Sequence, residues 1–93
     1  MLRRRMRVVE AAGFTFYFTY DRKRTSELHI ERRTGVSPQR AIDTFLDGLH
    51  SWNERGERFE CYTESYGLYW TWLYGEETSS IVLVISCFPL EGE

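Results

Sequence analysis

Five consecutive residues, Ile81-Val82-Leu83-Val84-Ile85, are apolar, and four of them are β-branched. A strand points successive side chains to opposite faces, so this run is apolar on both. It has to lie in the middle of a sheet or be covered on both sides. The strand is expected over residues 80–88, with Ile81, Leu83, Ile85 and Cys87 on one face. Residues 58–63 and 68–74 also alternate, as Phe59/Cys61/Thr63 and Leu68/Trp70/Trp72/Tyr74. The links Glu64-Ser65-Tyr66-Gly67 and Gly75-Glu76-Glu77-Thr78-Ser79 have turn composition. Residues 58–88 therefore read as a three-strand antiparallel meander.

Upstream, Phe14-Thr15-Phe16-Tyr17-Phe18-Thr19-Tyr20 alternates aromatic and polar positions with period two, a strand signal. Residues 5–11 are expected to pair with it through a turn at Ala12-Gly13. Residues 24–34 are ambiguous between helix and strand. Leu28 and Ile30 suit a strand, whereas the charge spacing over Glu27–Arg33 suits a short helix ended by Gly35. Ser37-Pro38 is an N-cap followed by proline at the first helical position. Ala41, Ile42, Phe45, Leu46 and Leu49 then form one apolar helix face, and Arg40, Asp43, Thr44 and Asp47 the other. A helix over 37–49 follows, then a polar connector over Ser51–Glu57 that contains Trp52.

Ninety-three residues suffice for one domain, 1–93. The expected class is α+β: one or two N-terminal helices packed on a twisted antiparallel sheet of four to five strands. A chain this short buries only about two-thirds of its unfolded surface, and the 16% aromatic content compensates with large buried rings. No run of 18 apolar residues marks a membrane span, and Met1–Arg7 is basic without the apolar run of a signal peptide. A cytoplasmic location is expected. Cys61 and Cys87 lack zinc-ligand spacing. They fall on strands separated by a third, about 9.5 Å apart, beyond disulfide reach, so buried free thiols are expected, with no metal and no cofactor.

Charge is divided unevenly. Residues 1–40 hold ten Lys/Arg and four acids (+6), and residues 41–93 hold two Arg and ten acids (−8). The first part suits phosphate and the second a basic partner, unless the two neutralise each other in the fold. No phosphate loop, dinucleotide fingerprint or zinc-protease motif is present. His29 and His50 are the acid–base candidates, with surface positions as the plainer alternative. Glu54, Arg55, Arg58 and Glu60 supply the base and cations that RNA cleavage needs, or else form a solvated loop. Tyr17 and Tyr69, opposite the expected core faces, are candidates for stacking on RNA bases. Trp70, Trp72 and the Phe14/Phe16/Phe18 row are expected in the core.

Several segments together resemble the BrnT-type toxins of the RelE/ParE-like group: Tyr20-Asp21-Arg22-Lys23, Arg33-Thr34-Gly35-Val36-Ser37-Pro38-Gln39-Arg40-Ala41, Phe45-Leu46-Asp47, Arg58 and Val84-Ile85-Ser86. The resemblance spans residues 17–88. It implies a RelE-like fold and a metal-independent endoribonuclease of a toxin–antitoxin pair, with RNA and a cognate antitoxin as partners. It implies His29 or Glu54 as base, with Arg32, Arg33 and Arg58 on phosphate. Thr34 stands where such toxins carry His, Val82 and Phe88 where last-strand arginines are expected, and Trp70 and Trp72 where aliphatic residues are usual. Those departures motivate the alternative of a non-enzymatic protein-binding module or phage- or plasmid-encoded inhibitor that uses its acidic face.

Overall fold

The computed structural model describes residues 5–75 and 77–91. Strands β1 (Met6–Ala11) and β2 (Phe14–Thr19) are followed by helices α1 (His29–Thr34) and α2 (Pro38–Asp47). Strands β3 (Leu49–Asn53), β4 (Arg58–Tyr62), β5 (Tyr66–Trp72) and β6 (Ile81–Pro89) complete one sheet. Its order is β1-β2-β6-β5-β4-β3. All neighbours are antiparallel except β2 and β6, which run parallel with Phe16 opposite Val82 and Phe18 opposite Val84. The α+β class holds. The sheet, however, has six strands rather than four to five and is mixed rather than antiparallel, and the helices follow the first hairpin instead of preceding the sheet.

Local signals explain most elements. Ala12 and Gly13 both take positive φ, 53° and 85°, as a two-residue turn matching strand twist requires. Gly35 ends α1 in the left-handed region at φ 74°, its N–H donating to Glu31 O. The Ser37 hydroxyl accepts the Arg40 N–H at 3.2 Å, and Pro38 opens α2. The helix stops at Asp47, so Leu49 leaves the expected helix face and starts β3, 84% exposed. Thr44, placed by periodicity on the polar face, is buried; its hydroxyl donates to Arg40 O at 2.8 Å. The connector at 51–57 contributes an edge strand instead, in which only His50 and Trp52 share the core side through their partners Cys61 and Phe59.

Both helices pack on one sheet face, around Phe16, Phe18, Leu68, Trp70, Val82 and Val84. Strand β6 is central, as its two-sided apolarity demands. Its core face is Val82, Val84 and Cys87, because the pairing jumps from Tyr69–Ser86 to Trp70–Val84 and leaves Ile85 as a bulge. One extra residue inverts the alternation, so Ile81 and Leu83 turn away from the core. Beyond Val84, β6 loses β2 as a neighbour and α1 lies against it. There the Thr34 hydroxyl donates to Cys87 O at 2.6 Å. Strand β5 ends at Trp72, and Tyr74, expected on its face, is 86% exposed at φ 59°. Cys61 and Cys87 are free and buried, on β4 and β6 with β5 between. No helix among the described residues is long and apolar enough to cross a membrane.

Candidate anion-binding site

Where β2 ends, the chain turns back to α1 through a loop tied by Asp21. Tyr20 bridges Leu28, and Asp21 N–H donates to Glu27 O at 2.8 Å. The Asp21 carboxylate accepts the Lys23 and Arg24 backbone N–H groups at 2.9 Å each, a side-chain mimic of a turn. The same carboxylate lies 3.3 Å from Arg32 Nε and 3.9 Å from His29 Nδ1. The Arg24 N–H holds the Asp21 carboxyl below its ordinary range, helped by the Lys23 N–H and the Arg32 guanidinium and opposed by burial. An ionised, nearly buried aspartate therefore sets the positions of a loop and a helix face.

Beside it is a pocket of about 440 Å³ lined by Thr19, Arg22, Lys23, His29, Arg32 and Arg33, together with Tyr20 and Asp21. Four cations and one carboxylate line it, so the pocket has a basic excess that attracts anions, and guanidinium pairs suit phosphate. A second, apolar slot of about 220 Å³ is lined by Thr19, His29, Leu83, Val84 and Ile85. Thr19 and His29 line both spaces. On the other flank, Arg5 lies 4.5 Å over the Tyr20 ring beside a small recess that Arg22 also lines. The whole opening is thus basic, with an apolar shelf on one side.

Of the sequence candidates, His29, Arg32 and Arg33 come together, because they stand at i, i+3 and i+4 of one helix. Tyr17 is on the face away from the helices, opposite Leu83 on β6, two residues before Thr19. The others lie elsewhere. Arg58 is on β4, three strand spacings from β2, roughly 14 Å. It pairs with Glu60 at 2.9 Å and lies 3.9 Å over the Tyr69 ring. Glu60 also accepts from Asn53 and Tyr62 at 2.7 and 3.1 Å. The Asn53 amide is the main reason its carboxyl sits below the ordinary range. Glu54 accepts the Trp52 indole N–H at 2.9 Å in the β3–β4 turn. Arg58 and Tyr69 thus belong to a closed polar cluster across β3, β4 and β5.

His50 has a separate task. Trp70 Nε1–H donates to its Nδ1 at 2.9 Å, so the other nitrogen carries the proton and donates to Phe45 O at 2.8 Å. Both ring nitrogens are occupied in holding α2 to β5. Asp21, which the sequence shows only as part of the Tyr20-Asp21-Arg22-Lys23 segment, is the organiser of this site. The signal was an Asp at the end of an aromatic strand followed directly by cations. No group of three or more His, Cys, Asp and Glu residues among the described ones is placed to hold a metal. Comparison with protein-family models, curated proteins and solved structures returns no match, so function has to be read from this geometry.

Proposed function

We propose that the chain is a toxin-type RNA-binding protein that cleaves single-stranded RNA at the Asp21–His29 pocket, with the BrnT-like segments as its scaffold. The observation that carries the reading is the sharing of Thr19 and His29 between a basic pocket and an apolar slot. That is the size and polarity sequence of a nucleotide: phosphate against Arg32, Arg33, Arg22 and Lys23, and a base against Leu83 and Ile85. His29 then stands between them, where a ribose 2′-hydroxyl would lie. As a general base it takes that proton while the 2′-oxygen attacks phosphorus. The bond from phosphorus to the 5′-oxygen breaks, and that oxygen takes a proton from water. The product is a 2′,3′-cyclic phosphate, and the guanidiniums stabilise the charge that develops on the phosphoryl oxygens. A toxin of this kind has a cognate antitoxin as partner.

Purified protein incubated with a single-stranded RNA oligonucleotide in EDTA is expected to release cyclic-phosphate ends. His29→Gln is expected to keep RNA binding and lose cleavage. Intact RNA at excess enzyme, together with no binding at low salt, would sink the reading. Binding without cleavage would reduce it to a single-strand binding module.

A second reading, a protein-binding inhibitor, draws on the acidic half. Asp43, Asp47 and Glu64 border a groove of about 590 Å³ between α2 and the β4–β5 turn. A stable complex with a nucleic-acid-binding protein, abolished by Asp43→Asn with Asp47→Asn, would favour it over the nuclease.

A further inference from the structure

Helix α2 leaves part of its own side of the sheet open. Next to it is a groove of about 500 Å³ whose walls are Phe14, Phe45, Trp70, Trp72, Leu46 and Glu77. Its rings meet nearly at right angles: Phe14 to Phe45 at 5.0 Å and 72°, Phe45 to Trp70 at 4.9 Å and 72°, Trp70 to Trp72 at 4.8 Å and 87°. Trp70 is pinned by its hydrogen bond to His50, so its ring is set before any ligand arrives. The row continues across the sheet. Phe59 stacks on Trp70 at 4.4 Å, and Trp52 meets Phe59 at 4.9 Å. Trp52 and Leu46 remain 48% and 44% exposed, although neither exposure helps the fold.

The charge around these rings has one sign. No Lys or Arg lines the groove, whereas Glu77 does; the His50 ring in its wall is engaged at both nitrogens by the Trp70 indole and Phe45 O, and Glu54 holds the indole of Trp52 at the far end of the row. Elsewhere the chain already lays guanidiniums on rings: Arg5 on Tyr20, Arg40 on Tyr66 and Arg58 on Tyr69. Among the described residues no cation lies over Phe14, Phe45, Trp70 or Trp72. Electron-rich faces with carboxylates at both ends and no internal cation are complementary to an external one. The length of the row, across three strands, matches an extended or helical segment better than a compact small molecule.

We propose that this groove docks a segment of a protein partner that carries arginines between aliphatic residues, the guanidiniums on Trp72 and Trp52, since Trp70 is itself buried under Phe59, and the aliphatic chains against Leu46 and Phe14. The site is independent of the RNA pocket, since none of its residues lines that pocket.

The probe is a synthetic peptide alternating Arg and Leu, titrated into the full chain while tryptophan fluorescence and the indole N–H resonances are followed. The Trp70 and Trp72 indole signals are expected to shift on saturation. Trp72→Leu is expected to weaken binding about tenfold, as loss of a desolvated cation–ring contact does. Because that change can also disturb folding, Glu77→Gln and Glu54→Gln serve as exposed variants, each expected to weaken binding about threefold. Glu10→Gln, an exposed acid on β1 outside every pocket described above, is expected to leave it unchanged. The proposal is overturned if the indoles do not respond, if Glu10→Gln weakens binding as much as Glu77→Gln, or if a Glu/Leu peptide of equal length binds as well. It is also overturned if the free protein forms a dimer that Trp72→Leu dissociates, because the occupant is then a second copy.

Discussion

Arg32 Nε lies 3.3 Å from Oδ2 of Asp21, the same oxygen that accepts the Lys23 and Arg24 backbone N–H groups. One oxygen thus joins a loop, a helix and the mouth of a pocket. Asp21→Asn retains an oxygen for the N–H groups but loses the charge, and Asp21→Ala loses both. Expected falls in Tm are about 2–4 °C for Asn and roughly twice that for Ala. The Asp21 carboxyl is depressed from its ordinary 3.8, so its contribution is fully present above that value. It is lost as pH falls through the depressed pKa. Thermal melts across pH 2–5 should therefore show wild type and Asp21→Asn converging at the acid end (a window of about this width follows from the linkage relation). A gap that stays constant with pH contradicts the role given to the carboxylate.

Arg33 lines the same pocket without the tie to Asp21 that Arg32 makes. Arg33→Ala is therefore expected to leave the melting temperature unchanged. It should weaken single-stranded RNA binding and reduce the slope of log Kd against log salt by about 0.7, one phosphate contact. Fluorescence anisotropy between about 50 and 200 mM salt measures it. An unchanged slope removes Arg33 from the proposed phosphate site.

Under the proposed function the two histidines have different tasks, His29 in the reaction and His50 in the fold. His50 holds the Trp70 indole and Phe45 O, so His50→Ala should cost about 1–2 kcal/mol in urea unfolding and leave RNA cleavage per folded molecule intact. His29→Gln should do the reverse. Equal loss of cleavage in both variants would mean that stability, not acid–base chemistry, is what the assay reads.

Two glycines serve different ends. A Cβ at Gly48 would collide with the Cys61 thiol and with the carbonyls of Thr44 and Tyr62, at 2.8 and 2.9 Å for the latter. Those neighbours are backbone and packed core, so Gly48→Ala is expected to cost about 2–4 kcal/mol. At Gly35 nothing stands within 4 Å, and the constraint is φ +74°, so Gly35→Ala should cost only about 1 kcal/mol. Denaturant midpoints order the two, and the reverse order contradicts the close approach of the α2–β3 corner to β4.

The parts of this fold that show in the sequence are those written locally. Phe14–Thr19 alternates, Ala12-Gly13 supplies the turn, and Ser37-Pro38 starts α2 at the expected residue. What hides is tertiary. Strand β3 lies at an edge with a mostly exposed surface, so Leu49–Asn53 carries no alternation to detect. The bulge at Ile85 exists only through pairing with β5, and it exchanged the expected faces of β6. The parallel contact of β2 with β6 depends on where two helices send the chain, which no local pattern encodes. In the candidate site, His29 is picked out by its acid–base chemistry and Arg32 and Arg33 through the family resemblance, but that they share one face depends on residues 29–34 being helix, which the sequence leaves open. Asp21 was not singled out, because its importance lies in one oxygen reached by three donors from different parts of the chain.

The core thiols give a last test. Burial raises Cys61 and Cys87 each to about 11 from an ordinary 9.0. Both should stay protonated and inert near neutral pH, reacting with a disulfide reagent only when the chain unfolds. In the native protein the rate should therefore follow unfolding and rise with urea, and no Cys61–Cys87 disulfide should form, because β5 separates them. The pH dependence has a definite sign. The unfolded thiols ionise near 9 while the folded ones resist until about 11, so stability is full below 9 and falls as pH rises toward 11. Replacing both with Ala should flatten that alkaline decline, at a lower overall stability from the lost packing. Rapid labelling of either thiol in the native state at pH 7 would place it at the surface and contradict the register of β4 and β6.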